Sequence, residues 1–182
     1  MMNKRTLFGA LALAATTLVV MNACKTIPKG AQAVKPFDKE KYLGTWYEIA
    51  RFDYRFERHL NNVTATYSLK PNGTIKVDNK GYDFKKEKWK QSIGKAKLAG
   101  SPDEAKLKVS FFGPFYAGYN VIAIDKDYKY ALVAGSSLDY LWLLSREKTI
   151  PEVVKLNYLK IAQGIGYKIE NLIWVKHDKV HS

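Results

Sequence analysis

Few residues in this 182-residue chain are of a type that does covalent or metal chemistry. It has one cysteine, Cys24, and three histidines, His59, His177 and His181. A single thiol excludes an internal disulfide framework and any cysteine-based zinc cage. The histidines are too scattered in sequence to suggest a metal site, and no Ser-His-Asp arrangement is visible from spacing. No metal, cofactor or catalytic residue is therefore expected. What the thiol can do is set by its surroundings. Lys4 and Arg5 precede an apolar run from Leu7 to Met21, broken only by Gly9, Thr16 and Thr17. That run is short of the ~20 apolar residues of a spanning helix and fits the core of a secretory signal. A small residue, Ala23, stands directly before the thiol. One further pair has chemistry of a different kind: Trp46 and Arg146, an indole and a guanidinium that can stack if the fold brings them together.

Met21-Asn22-Ala23-Cys24 resembles a bacterial lipobox, with Met21 where Leu is usual. The resemblance implies cleavage after residue 23, lipidation of Cys24 and anchoring of the chain to a membrane through its new N-terminus. Lys25 follows, where an Asp tends to retain Gram-negative lipoproteins in the inner membrane. The resemblance thus implies the outer membrane, with the domain facing the periplasm. Lys25 to Pro36 holds three lysines, two prolines and no acid, which reads as an exposed tether. The expected organisation is a signal at 1–23, a tether at 24–37, a folded domain at 38–176 and a tail at 177–182.

The body must position these groups. Hydrophobic residues make up 47% of the chain and aromatics 13%, with only 12 Gly and 6 Pro, so disorder is excluded and one domain with a real core is expected. From Tyr42 to Phe112 the apolar period is near two. Val63 to Leu69 and Ala105 to Phe111 alternate without error. Pro71-Asn72-Gly73, Ser101-Pro102-Asp103-Glu104, Gly113-Pro114 and Asp125-Lys126-Asp127 supply turns. The candidate strands are 43–53, 63–70, 74–82, 88–98, 105–112, 118–125, 129–135 and 138–146. Eight strands at a spacing of about ten residues predict a sandwich or an up-and-down antiparallel barrel, and closure would remove exposed edges. Thr149-Ile150-Pro151-Glu152 has the form of a capping box opening a helix that Gly164 can end. A last strand-like run spans Asn171 to Lys176.

That order, with Gly44-Thr45-Trp46-Tyr47 at the start of the first strand, resembles the lipocalin family. A second family motif is approached by Lys126-Asp127-Tyr128-Lys129-Tyr130-Ala131, where Lys126 replaces a Thr and the second Tyr comes one residue early. A third is Leu143-Leu144-Ser145-Arg146. The stretches from Gly44 to Phe52 and from Phe111 to Tyr116 are similar to the bacterial lipocalins, which are related to apolipoprotein D. The resemblance spans Tyr42 to Trp174 and implies an all-β, eight-stranded calyx with one C-terminal helix and a short final strand.

In such a meander Trp46 begins strand one and Arg146 ends strand eight, so both lie at the same end. In lipocalins this pair, with Gly44, plugs the closed end. Loops 53–62, 83–87, 112–117 and 136–138 then surround the open mouth, with Phe56, Phe112, Phe115 and Tyr116 either forming a lipid or partner contact or folding back onto the rim. Parity gives the cup lining: Ala65 and Tyr67; Ile75, Val77 and Asn79; Leu107, Val109 and Phe111; Tyr140, Trp142 and Leu144. These residues either line a cavity or fill a solid core. Glu48 shares the parity of Trp46, pointing inward or forming a salt bridge near the closed end.

The family resemblance implies a membrane-anchored protein that stores or transports a single-chain lipid, a fatty acid such as palmitate or a lysophospholipid. The proposed ligand contacts are Ala65, Tyr67, Val77, Asn79, Val109, Phe111, Tyr140 and Trp142. A filled, purely structural barrel is the alternative. A lipocalin-type isomerase is disfavoured because the one cysteine lies outside the cup. The +13 charge suits an anionic membrane surface, and a secretion signal argues against nucleic acid. A homodimer is the protein partner left open.

Overall fold

The structure, a computed structural model, describes residues 26–179. The signal segment, Cys24, Lys25 and His181 lie outside the described residues. Eight strands follow one another in antiparallel order: β1 (Gly44–Arg51), β2 (Leu60–Leu69), β3 (Ile75–Asp83), β4 (Lys88–Leu98), β5 (Lys106–Ser110), β6 (Ala117–Ile124), β7 (Tyr130–Ala134) and β8 (Leu141–Ser145). Each pairs with the next, and β1 pairs with both β2 and β8, which closes the sheet into a barrel. Closure leaves the eight strands without a free edge, and side chains alternate between the barrel interior and its outer wall.

Three breaks interrupt that alternation, one in β1, one in β2 and one between Val121 and Ala123 of β6. Between Glu48 and Ala50 the pairing of β1 with β8 slips by one residue. The bulge sends Ile49 and Ala50 to the outer wall and returns Arg51 to the inside, three positions after Glu48. A second irregularity lies between Asn61 and Thr64, where Asn62 takes a φ of 55°. β2 therefore starts at Leu60, before the expected position 63.

The barrel has two apolar cores. One lies inside, built around Trp46, Tyr67, Val77, Leu107 and Val121. The other lies between the outer wall of β1, β7 and β8 and the helix α2 (Glu152–Ile165), which buries Tyr158 and Ala162. The expected capping box does not form. Pro151 is the N-cap and makes no side-chain cap bond, while the Thr149 carbonyl accepts from the Ser145 hydroxyl at 2.8 Å. The helix also runs past Gly164, because the following turn still packs on the wall. It ends at Gly166, whose φ of 108° places its N–H toward the carbonyls of Ala162 and Gln163.

Both chain segments flanking the barrel are docked on it, which corrects the expected exposed tether. The backbone N–H of Val34 donates to the Val121 carbonyl at 2.9 Å, and Ala105 donates to the Val34 carbonyl at 2.9 Å. Val34 thereby satisfies backbone groups where β5 and β6 diverge. Phe37 is buried against Tyr42, and Asn120, fully buried, donates to the Thr26 carbonyl at 2.6 Å. At the other end only Ile173–Trp174 is a regular strand, β9, paired with Ala50 and Arg51. The chain then wedges between β1 and β2: Val175 donates to Ile49, Asn62 donates to Lys176, and Asp178 accepts from the Asn62 side chain. Positions 177–179, expected as tail, are part of the wall.

Candidate functional site

The closed end is built on backbone carbonyls. A short helix, α1 (Lys39–Tyr42), enters β1 across the barrel base. The Arg146 guanidinium carbon lies 3.8 Å from the centroid of the Trp46 ring. Its nitrogens donate to the carbonyls of Lys41, Leu43 and Thr45 at 2.8 Å and to those of Tyr42 and Tyr128 at 3.2 Å. Trp46 donates its own N–H to the Tyr42 carbonyl at 2.9 Å. Gly44 has a φ of +93°, and a Cβ there would stand 3.3 Å from an Arg146 nitrogen. The position thus disfavours a side chain both by its backbone and by this close approach.

Above this plug the barrel is open. A cup of about 250 Å³ is lined by Ala65 and Tyr67 of β2, Val77 and Asn79 of β3, Val109 of β5 with the adjoining Phe111, and Trp142 of β8 with the preceding Tyr140. Leu144 also lines it. Ile75 and Leu107, on the same faces, do not reach the cup and pack in the core beneath it. The interior is therefore filled below and hollow above. On β4, a Cβ at Gly94 would fall 2.8 Å from the Phe111 ring, so the missing side chain lets that ring lie against the wall.

Several lining groups escaped sequence reasoning. Tyr119 is one: its hydroxyl lies 2.6 Å from that of Tyr42 and 2.8 Å from that of Tyr67. Burial pushes all three phenols well above their ordinary range, so they serve as neutral hydroxyls. Only its parity with Val121 on β6 could have signalled Tyr119. Glu57 is another, and the buried Arg51 stands behind it. Arg51 donates to a Glu48 carboxyl oxygen at 2.8 Å and to the carbonyls of Glu57 and Leu60 at 2.7 and 3.1 Å. Its Nε lies 3.9 Å from Glu57 Oε2, which accepts from the Trp142 indole N–H at 3.1 Å. Glu48 thus points inward and is salt-bridged, but to Arg51 in the cup wall and not at the closed end. Burial raises both carboxyls above their usual range; Glu57 pushes Glu48 up further, against the pull of Arg51. The bulge explains why simple alternation misses this cluster, since parity alone places Arg51 outside.

The cup opens into a second cavity of about 350 Å³ that shares Tyr54, Glu57, Asn79, Val109 and Phe111 with it. Alone the cup is below the roughly 300–1,000 Å³ of small-molecule sites, and the joined space falls within that range. Around the mouth, the Phe56 and Phe112 rings meet tilted, with centroids 5.7 Å apart, yet Phe112 is 65% and Phe115 79% exposed. These rings do not fold back onto the rim. Lys95 and Lys97 sit over the Tyr116 ring at 5.7 and 4.9 Å. Among the described residues, no three His, Cys, Asp or Glu side chains converge as a metal site.

Comparison with known proteins agrees with this architecture. The model of the lipocalin-like domain matches residues 37–177. The chain is 56% identical over 165 residues to "Outer membrane lipoprotein Blc" of Citrobacter freundii, covering 91% of this chain and 93% of that one. It is 54% identical over 168 residues to the protein of the same name from Escherichia coli (strain K12), covering 91% and 95%. Insecticyanin from the tobacco hornworm Manduca sexta superposes with a TM-score of 0.65 at 20% identity, over 83% of this chain and 86% of that structure, which shows a shared fold. With a family model over most of its length and bacterial relatives above half identity, the chain belongs to the lipocalin family and takes its place among the outer-membrane lipoproteins of that family.

Proposed function

We propose that the protein is a lipid-anchored carrier that holds one single-chain lipid, a fatty acid or a lysophospholipid, with its tail in the cup. The observation that supports this most is the hollow upper barrel, blind below, open above and lined mainly by apolar side chains. Each buried CH₂ contributes ~0.8 kcal/mol, so a chain of about 16 carbons such as palmitate offers about 12 kcal/mol gross before the costs of association. A space of this size holds one chain far better than two. Signal cleavage after residue 23 would leave Cys24 as the lipidated N-terminus, and the domain would face the periplasm. The net charge of +13 favours an anionic membrane surface. Binding without turnover is part of the proposal.

Native mass spectrometry of protein purified without detergent tests the ligand. A discrete added mass of one single-chain lipid is expected, and a bare protein that also takes up none on titration would overturn the reading. Cys24→Ser tests the anchor: the variant should leave the membrane fraction, whereas a variant that still sediments with membranes after a high-salt wash would refute lipidation as the sole anchor.

A further inference from the structure

The segment that precedes the barrel is docked along its wall from the closed end toward the mouth. The Phe37 N–H donates to the Asp103 carbonyl at 2.8 Å, in the β4–β5 connection at the closed end, and Val34 docks where β5 and β6 part. Thr26 has reached the mouth side, where its carbonyl accepts from the buried Asn120 amide at 2.6 Å. The same amide donates to the carbonyls of Ala134 and Gly135 at 3.2 Å, at the mouth end of β7. A Cβ at Gly118 would strike the Thr26 carbonyl and stand 3.4 Å from the Ser136 side chain, in a loop of the mouth. Cys24 comes two residues earlier in the chain, a span of at most about 7 Å. A lipid on Cys24 therefore leaves the domain beside the open mouth, far from the plug.

The mouth is also where the barrel loops carry their apolar surface. Among the described residues, Phe56, Phe84, Phe112, Phe115, Tyr116 and Leu138 are exposed there, against Leu69 at the closed end. Cations stand over these rings: Arg55 lies 4.5 Å from the Phe56 centroid, and Lys95 and Lys97 lie over Tyr116. Two acids of the rim are neutralised by ion pairs, Asp53 with Arg58 and Asp83 with Lys90. Exposed Lys85 and Lys86 occupy the β3–β4 turn beside Phe84. Apolar rings set among cations suit the boundary between acyl chains and anionic headgroups. Phe56, Phe112, Phe115 and Tyr116 also line the outer cavity, so this surface is continuous with the way into the cup.

We propose that the open mouth is a membrane-docking surface, held by the docked tether against the same anionic leaflet that carries the Cys24 anchor. The exposed rings enter the boundary between headgroups and acyl chains, and the lysines and arginines meet lipid phosphates. The contacts are individually weak, and without the anchor a high-salt wash releases them. With it, the mouth stays within reach of the bilayer at a high effective concentration, so weak contacts suffice. A single-chain lipid then passes between leaflet and cup without crossing bulk water. The inference rests on the lipidated-carrier reading above and adds the orientation in which the carrier works.

The test uses the lipidated protein purified from membranes and reconstituted in vesicles of phosphatidylethanolamine and phosphatidylglycerol. Lipidation occupies the one native thiol, so an introduced cysteine takes a polarity-sensitive dye alone. Phe115→Cys places the dye at the mouth and Leu69→Cys at the closed end. The dye at position 115 should shift to the blue, and nitroxide-bearing phospholipid should quench it several-fold more than the dye at position 69. Gly118→Ala, which displaces Thr26 from the wall, should bring the quenching at position 115 down toward that at position 69; unchanged quenching would overturn the tether's part. Water-like emission at both positions, or stronger quenching at position 69, would overturn the inference and leave the carrier reading intact. A blue shift at position 115 without lipid quenching, lost as the protein is diluted in the bilayer, would assign the mouth to a second copy and overturn it as well. Vesicles that shed the protein at high salt would overturn the anchor, and the inference with it. Quenching at position 115 in a protein that takes up no single-chain lipid would overturn the carrier reading and leave the docked mouth standing. Should Gly118→Ala fail to fold, the contrast between positions 115 and 69 decides the matter.

Discussion

The two ends of this barrel treat polar groups in opposite ways. At the closed end Arg146 has its nitrogens on five backbone carbonyls and its face on Trp46, which is itself fully buried and hydrogen-bonded. At the open end two carboxyls share one arginine, Asn79 has a buried oxygen without a partner, and Phe112 and Phe115 face solvent. Satisfied, packed groups stabilise; orphaned acceptors and exposed rings cost stability and persist where something else is to be bound. The difference teaches that stability is concentrated below and recognition above, although the same strands run through both.

That division can be broken by mutation. Trp46→Ala should have the largest effect, lowering stability by about 3–5 kcal/mol as a fully buried large-to-small change, measured by urea unfolding. Arg146→Ala should cost less, and in a double-mutant cycle the two should couple by about 0.5–2 kcal/mol. Simple additivity would mean that the stacked pair contributes nothing as a pair. Gly44→Ala follows at about 1–2 kcal/mol, because its left-handed backbone and the nearby guanidinium both oppose a methyl group.

At the mouth the same measurements should move little while lipid binding moves much. Trp142→Ala should weaken single-chain lipid binding more than it lowers the urea midpoint, since the ring lies between Tyr119 and Tyr140 along the cup wall. Unchanged affinity with a lowered midpoint would show that this wall is only structural. Phe115→Ser should shift stability by less than about 0.5 kcal/mol; a loss as large as that of Gly44→Ala would erase the distinction between the two ends.

The smallest effect concerns pH. Burial raises the carboxyls of Glu48 and Glu57, so the folded state holds protons that the unfolded chain releases near pH ~4.3. Their contribution is fully present below that pH and is lost as pH rises through the folded-state values. The parent should therefore lose stability relative to Glu57→Gln as pH rises above ~4.3. A parallel pH profile for the two proteins would show that Glu57 ionises freely in the folded state.

Much of this molecule was already decided along the chain. Strict alternation from Val63 to Leu69 and from Ala105 to Phe111, turn residues between the runs, and prolines kept out of the strands determine a meander, because side-chain direction in a strand depends only on local backbone geometry. The same parity places Val77, Asn79, Val109 and Trp142 on the inner face, and the strand count places Trp46 and Arg146 at one end. Tertiary structure decided what alternation cannot carry. The bulge at Ile49 turned Arg51 inward because strand pairing slips where β1 must meet both β8 and β9. Val34 docked where β5 and β6 part, because unpaired backbone groups there had to be satisfied. Whether the inner face formed a solid core or a cup depended on how side chains from facing strands fill a common volume. Ile75 and Leu107 meet the Trp46 core below, whereas Val77 and Val109 face open space above, and no local pattern distinguishes these pairs.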